Sequence, residues 1–277
     1  MVRIVTDSST LITADEAREM GIDMIPLCIS IGDMEGRDLE IDMDDYYARI
    51  ARAEIPRSSQ PPIGDVVDVY EKYPDDEIIN ISMADGLSGT YQTACGAKEI
   101  VDNGEKITVV NSKTLCGPHK YMVQKAQEMK LAGKSAKEIL DWLEDKIQKT
   151  ESFLIPQDFS FLKRGGRLTP MAATFGSVLK LKPIMTLTED CKRLDKYAIK
   201  RTLTASVSAV IERMKAFNVN ENHIVYVTHA NVLEDAKKVV EQIKAVFANV
   251  EIQLQTLSPV FVAQGGPSCI AIQYIER

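Results

Sequence analysis

Apolar and polar positions along the first half of the chain predict strands and helices in alternation. Short apolar runs predict strands at residues 2–5, 22–31, 77–82 and 107–110. Helix starts lie between them: Thr13 and Ser135 each precede a Glu by three positions, and Asp42 is a favourable cap for a third helix. This alternation predicts a mostly parallel sheet with helices on both faces.

The second half of the chain shows a different pattern. Two strand-like runs, 183–188 and 192–198, flank Glu189-Asp190 and predict a hairpin. Further elements are predicted as a helix at 202–217, a strand at 223–229, a helix at 232–247, and strands at 250–256 and 269–275. We therefore expect an α/β fold with two domains, residues 1–156 and a smaller α/β domain at residues 157–277.

Composition narrows the class of protein. With 45% hydrophobic and 26% charged residues the chain can bury a core, and its net charge of −7 disfavours nucleic acid as the main partner. The five cysteines include no C-x-x-C pair, which disfavours a disulfide framework or a structural zinc site and fits a reducing cytoplasm. No apolar stretch approaches the roughly 18 residues of a spanning helix, so no stable membrane insertion is expected.

Charge is unevenly distributed. Residues 161–203 contain ten Lys or Arg and three acidic residues, so this segment carries +7 while the rest of the chain carries −14. Two interpretations remain open: a solvated basic face, or a docking surface for a phosphate-bearing or acidic partner.

The segment around Ser88 is the most informative candidate site. An apolar strand runs through a small polar loop into a helix that begins near Ser88, and the N–H groups at a helix start favour anions. Ser88 and Thr90 add hydroxyl groups, while Gly86 and Gly89 let a ligand approach the backbone. No lysine follows the glycines, which excludes the phosphate loop of nucleotide hydrolases. The segment therefore predicts a cradle for a small anionic group such as a carboxylate.

Other segments carry weaker candidates. Hydroxyl groups also cluster at residues 6–10 and 58–60, where simple helix capping is the alternative interpretation. Arg167 follows two glycines and could bind a carboxylate with both guanidinium nitrogens, and Gln264 precedes another Gly-Gly pair. For both glycine pairs, a plain surface turn is the alternative.

Taken in order, several motifs strongly resemble the DegV family of bacterial fatty-acid-binding proteins across the whole chain. They are Val-Thr-Asp-Ser-Ser-Thr (5–10), Ser-Ser-Gln-Pro (58–61), Gly-Leu-Ser-Gly-Thr-Tyr-Gln-Thr-Ala (86–94), Leu-Lys-Arg-Gly-Gly-Arg-Leu (162–168), Leu-Lys-Pro-Ile (181–184) and Gly-Pro (266–267). The resemblance implies a two-domain DegV-like (EDD) fold, in which the second domain closes over a long-chain fatty acid lying in an apolar tunnel. It also implies a lipid-binding protein that is not itself an enzyme, needs no cofactor or metal, and at most carries substrate for a separate ATP-binding kinase subunit that forms an acyl phosphate.

The resemblance also assigns roles to individual residues. Hydrogen bonds to the fatty carboxylate are implied for Ser88, for one or both of Ser58 and Ser59, and for Gln264. The head-group neighbourhood is implied to include Gly89, Thr90, Arg167 and Arg201. Kinase-linked members often carry a histidine at the position of Gln264, and Gln can bind a carboxylate but cannot titrate near neutral pH. The replacement therefore favours lipid binding more than phosphorylation.

Two other functions are compatible with the residues. One is a module that binds a different small anion, such as a sugar phosphate or an amphipathic metabolite. The other is a serine hydrolase that uses Ser88 as nucleophile, with a base from His119, His223 or the better placed His229. The segment Gly86–Thr90 lacks the G-x-S-x-G spacing, which disfavours the hydrolase.

Overall fold

A computed structural model describes residues 1–174 and 181–277. The chain divides into two compact units, Met1–Gln148 and Lys149–Arg277. This division precedes the expected boundary at 156/157, because the strand Thr150–Ile155 pairs with strands that come later in the chain.

The first unit combines strands and helices in alternation. Its strands are β1 (Val2–Asp7), β2 (Asp23–Ile25), β3 (Cys28–Ile31), β4 (Met34–Arg37), β5 (Arg57–Ser59), β6 (Glu77–Ser82) and β7 (Ile107–Asn111). Its helices are α1 (Ala14–Met20), α2 (Met43–Ala51), α3 (Ile63–Glu71), α4 (Thr90–Lys98), α5 (Cys116–Leu131) and α6 (Ala136–Ile147). Single-turn 3-10 helices occupy Ser8–Thr10 and Gly104–Lys106.

A parallel sheet forms the centre of the first unit, as predicted. Its strand order is β2-β1-β6-β7, and every neighbouring pair is parallel. The apolar run of β6 is buried, with Ile78 and Ile81 both at 0% exposure, because helices cover the sheet. Helices α3 and α4 pack on it through Val66, Tyr70 and Ala94. The carboxyl ends of β1 and β6 therefore lie side by side.

A second, three-stranded sheet in this unit was not predicted. Its order is β4-β3-β5, and both pairs are antiparallel. Pro26 interrupts the apolar run 22–31, so the run supplies β2 to the parallel sheet and β3 to the small sheet. Residues 58–60 were expected as a loop that opens a helix, but Arg57–Ser59 form β5, a strand too short to show a period of two.

The predicted helix caps are confirmed. Thr13 and Ser135 each form a complete capping box with the Glu three positions later. The Asp42 side chain accepts hydrogen bonds from the N–H groups of Asp44 and Asp45. Gly21 ends α1 at φ +69°, a left-handed conformation that favours glycine.

The second unit is built around a mixed sheet. Its strands are β8 (Thr150–Ile155), β9 (Lys182–Leu187), β10 (Leu194–Lys200), β11 (His223–His229), β12 (Glu251–Thr256) and β13 (Ile270–Glu276). Its helices, within the described residues, are α7 (Phe159–Gly165), α8 (Pro170–Ala173), α9 (Leu203–Ala216), α10 (Leu233–Lys244) and α11 (Pro259–Gly265).

The strands of the second unit follow the order β10-β9-β8-β13-β11-β12. Strands β9 and β10 form the predicted antiparallel hairpin, and β11 and β12 pair in parallel. Helices α9 and α10 cover one face of the sheet, with Val207, Val210 and Val239 in the core. Of the ten basic residues in 161–203, Lys180 lies outside the described residues.

Candidate ligand-binding site

The loop that follows β6 carries Ser88 to the start of α4. Gly86 has φ +90°, which reverses the chain at little steric cost. Helix α4 begins at Thr90, and the N–H group of Thr90 donates to Ser88 Oγ at 3.3 Å. The N-cap residue is Gly89, which has no side chain, so Ser88 just before it supplies the hydroxyl acceptor for the first N–H group of α4.

The hydroxyl groups of Ser88 and Thr90 form a pair, with Oγ and Oγ1 2.8 Å apart. Thr90 is 5% exposed, whereas Ser88 is only partly buried. With the buried Thr90 as donor, the Ser88 proton remains available for a ligand oxygen, because a hydroxyl group donates once and accepts twice. Such a chain polarises the outer hydroxyl and strengthens its hydrogen bond to an anion.

The structure brings the segments 58–60 and 88–90 into contact through Gln60 and Gly89, which agrees with the shared role that the family resemblance implies for their serines. A methyl group added at Gly89 would lie 3.1 Å from Cδ and Oε1 of Gln60 and 3.3 Å from its Nε2. The segment that ends β5 thus touches the start of α4. The space that Gly89 leaves open is filled by Gln60, a residue to which the sequence gave no separate role.

The register of β5 separates the two candidate serines. Ser58 lies opposite Ile29, which is 3% exposed, whereas Ser59 lies opposite Cys28. Side chains alternate along a strand, so Ser58 and Ser59 are directed to opposite faces of the small sheet. Ser59 is exposed and Ser58 is half-buried, and both line an open cavity of ≈ 650 Å³ together with Arg37. A single carboxylate can therefore contact only one of these two hydroxyl groups. Ser58 is the less exposed of the two serines.

Asp85 raises the question of charge repulsion beside a bound anion. Its carboxylate accepts a hydrogen bond from Gln92 Nε2 at 3.3 Å, and its own N–H group donates to Asn111 Oδ1 at 3.2 Å. These contacts fix the carboxylate on the side of Gln92.

The first hydroxyl-rich segment, residues 6–10, belongs to the interior. The Asp7 carboxylate accepts from the N–H groups of Ser9 and Met83, both at 2.9 Å. Ser8 Oγ donates to Asp38 at 2.8 Å, and Ser8, Ser9 and Thr10 are all 0% exposed. These groups join the ends of β1 and β6 instead of lining a ligand site, so the alternative interpretation of local structural bonding holds here.

His119, a candidate base in the hydrolase hypothesis, is also an interior residue. Its Nδ1 lies 3.0 Å from Ser9 Oγ, and its Nε2 lies 3.0 Å from the carbonyl oxygen of Ile81 and 3.3 Å from Thr6 Oγ1. A carbonyl oxygen only accepts, so Nε2 donates to Ile81, and in the neutral ring Nδ1 then accepts from the Ser9 hydroxyl. Burial lowers the pKa of His119, although the nearby Asp7 opposes that shift. Both ring nitrogens are therefore engaged away from Ser88, whose own hydroxyl partner is Thr90.

We expect His119 to make the folded protein less stable in mild acid. The unfolded chain protonates this histidine below its ordinary pKa of about 6.5, whereas the folded chain, with a lowered pKa, resists protonation. The contribution is thus complete above about pH 6.5 and is lost as the pH falls towards the folded pKa. Between about pH 7.5 and 5.5, wild type should lose more unfolding free energy than His119→Gln in urea titrations, because only wild type carries the group whose pKa is lowered by folding. Equal losses in the two proteins would contradict this assignment.

In the second unit, Gln264 and Arg167 meet at Gly165. A methyl group at Gly165 would collide with Gln264 Oε1, and the Arg167 guanidinium donates to the Gly165 carbonyl. Arg167 is half-buried, and burial lowers the pKa of its guanidinium. Arg201 lies exposed just before Thr202, the residue that caps α9. The structure thus joins two of the three candidates in this unit.

The Gly265-Gly266 pair after Gln264 has a packing role. A methyl group at Gly265 would lie 2.8 Å from Cys269 Sγ, and one at Gly266 would lie 3.0 Å from the ring of Phe161. Gly266 also has φ +81°. These glycines let α11 end tightly against α7 and β13, which explains the pair without a ligand.

The described part of the chain has the features of neither a metal site nor a membrane-spanning helix. There, no three His, Cys, Asp or Glu side chains cluster as a metal site would require. Within the same residues, no helix combines the length and apolar character needed to cross a membrane. All five cysteines are free thiols.

Comparison with known proteins gives one consistent family. The model for the family described as "Uncharacterised protein, DegV family COG1307" matches residues 1–277. Protein DegV of Bacillus subtilis is 31% identical over 256 residues, which cover 90% of each chain. A crystal structure described as DegV, a fatty acid binding protein from Bacillus subtilis, has a TM-score of 0.86 and 29% identity and covers 100% of this chain and 99% of its own.

A further structure supports the fold. A DegV family protein from Thermus thermophilus, whose description is of fatty acid binding, has a TM-score of 0.89 at 24% identity and covers 100% of this chain and 99% of its own. At that identity the match concerns the fold alone. The expected two-domain α/β architecture is thereby confirmed.

Proposed function

The chain belongs to the DegV family, and from that premise we propose that it binds a long-chain fatty acid through a carboxylate cradle formed by Ser88 and Ser58. The supporting observation is the approach of β5 to the start of α4, where Gln60 packs on Gly89 beside the Ser88–Thr90 hydroxyl pair. Two segments with hydroxyl groups, distant in sequence, are thus anchored at one helix N-terminus.

The chemistry of this cradle suits a carboxylate. A carboxylate removed from water needs hydrogen bonds to replace its hydration. Helix geometry leaves the N–H groups of Tyr91 and Gln92 without an intrahelical acceptor, and the helix dipole favours negative charge there. Hydroxyl and amide donors hold the anion without a buried counter-charge. Each CH₂ of the acyl chain that enters an apolar tunnel adds about 0.8 kcal/mol, so a long chain would supply most of the affinity.

The finer part of the proposal concerns phosphorylation. A separate ATP-binding kinase subunit would phosphorylate the bound acid. Gln264 would hydrogen-bond the carboxylate head group, and Arg167 and Arg201 would lie in its neighbourhood. Gln264 does not titrate near neutral pH as a histidine would. Fatty-acid binding should therefore persist even if phosphoryl transfer is slow. Incubation with such a subunit and ATP, followed by assay for acyl phosphate, tests this step. Charge reversal at Lys192, Arg193 and Arg201 then tests whether the basic segment 161–203 is the docking surface.

Mass spectrometry of an organic extract tests the main proposal. Protein purified without added lipid should yield a long-chain fatty acid near one per chain, and native mass spectrometry should show the same mass on the intact protein. An empty protein that also fails to take up added palmitate would refute fatty-acid binding. A sugar phosphate or other small anion in the extract would favour the alternative binding module.

A further inference from the structure

The carboxamide of Gln60 lies flat on Gly89. Its Cδ, Oε1 and Nε2 are almost equally distant, at 3.1, 3.1 and 3.3 Å, from the position of a methyl group on Gly89. Near-equal distances mean that the amide plane faces the glycine, with neither end directed at it. Gly89 has φ −73°, a conformation open to every residue, so the glycine is needed here for space.

This contact is a packing contact, and it does not involve hydrogen bonds from Nε2 or to Oε1 of Gln60. Within the described part of the chain, Gln60 Nε2 and Oε1 have no hydrogen-bond partner. The residue is exposed, and it lies beside a helix start whose first N–H groups have no intrahelical acceptor. A carboxamide in this state offers two N–H donors at a fixed position.

The position of Gln60 in the chain directs those donors to one side. Gln60 lies one residue beyond β5 and two positions after Ser58, and residues with this spacing share a face where the extended backbone continues. Gly89 lies between Ser88 and Thr90, so the amide adjoins the hydroxyl pair described above. Gln60 and Ser88 therefore both adjoin Gly89 at the start of α4, and Ser58 lies on the strand that leads into Gln60.

We propose that Gln60 is a carboxylate-binding residue whose Nε2 donates to a fatty carboxylate oxygen alongside Ser88 and Ser58. This inference rests on the proposed function. It gives Gly89 a defined role, because a larger residue would displace the amide from the face on which it rests. The proposal can be distinguished from a purely structural role. Packing on Gly89 requires only the shape of the Gln60 side chain, whereas binding also requires its Nε2 N–H groups.

Substitutions at Gln60 distinguish shape from hydrogen bonding. Gln60→Glu keeps the shape and replaces the donor by a negative charge, Gln60→Leu keeps apolar bulk, and Gln60→Ala removes both. Palmitate affinity, measured by isothermal titration on delipidated protein, should fall about tenfold in the Ala and Leu variants. It should fall further in the Glu variant, and that extra loss should shrink at high salt, because the repulsion is between charges.

A Gly89→Ala variant tests the packing side of the same inference. It alters no hydrogen-bonding group, yet it should weaken palmitate about as much as Gln60→Ala, and the double variant should be no weaker than either single one. Gln253→Glu, on β12 in the second unit, is the matched control and should bind as wild type does.

The ranking of the palmitate affinities of the Gln60 variants tests the proposal. A Gln60→Glu protein within twofold of wild type, or one that binds better than Gln60→Ala, would show that only shape matters and would overturn the proposal. Equal loss at low and high salt would do the same. Failure of the wild-type protein to bind palmitate would instead refute the proposed function, so the two failures are distinguishable.

Discussion

Asp7→Ala is expected to lower the unfolding free energy of the first unit by about 2–6 kcal/mol. Asp7 is 2% exposed, and its carboxylate accepts the N–H groups of Ser9 and Met83, both at 2.9 Å. Removal of the carboxylate leaves two buried donors without partners, and each costs about 1–3 kcal/mol. The loss is large against the roughly 5–15 kcal/mol by which a typical domain is stable.

Trp142 offers a direct measurement of this effect. It is the one tryptophan of the chain and lies in α6 of the first unit, so its fluorescence in a urea titration reports the unfolding of that unit. Asp42→Ala is the matched control, since Asp42 also accepts two backbone N–H groups but is exposed. Water can replace its carboxylate, so the control should lose about 0.5–2 kcal/mol. If the two variants lost the same amount, burial would not be the cause.

Ser88→Ala is expected to weaken fatty-acid binding roughly 10- to 150-fold while the fold persists. The change removes one hydrogen bond to a charged group, which is worth about 1.5–3 kcal/mol. It also removes the hydroxyl that pairs with Thr90 Oγ1 and accepts from the Thr90 N–H group, so a modest loss of stability should accompany the loss of affinity. Titration of delipidated protein with palmitate measures the first effect, and thermal unfolding without ligand measures the second.

Ser135→Ala separates capping from binding. Ser135 caps α6 through a complete capping box, far along the chain from the Ser88 loop. The variant should lose a similar stability and retain full palmitate affinity. Unchanged affinity in Ser88→Ala would remove Ser88 from the carboxylate site.

Local chemistry made much of the fold predictable. Thr13, Asp42 and Ser135 were recognised as caps because a cap and its partners lie within three or four positions of each other. The strands of the parallel sheet were predicted because both faces are covered, which produces continuous apolar runs such as β6.

Features that depend on tertiary contacts escaped prediction. Strand β5 is three residues long and has no period of its own, so the small sheet was not foreseen. The contact of Gln60 with Gly89 joins residues far apart in sequence, and a glycine alone does not reveal what fills its space. His119 resembled a possible base in sequence, but burial among Thr6, Ser9 and Ile81 makes it part of the core.

The two serines of the proposed cradle belong to segments that differ in local stability. Ser88 follows β6, a central strand of the parallel sheet, whereas Ser58 lies on β5, a three-residue edge strand paired on one side only. Such an edge opens in local fluctuations at far lower free energy than a central strand. A ligand that bridges both would close β5 onto the rigid half by mass action. For the proposed cradle we therefore expect the central strand to set the position of the carboxylate and the edge strand to set its rate of release.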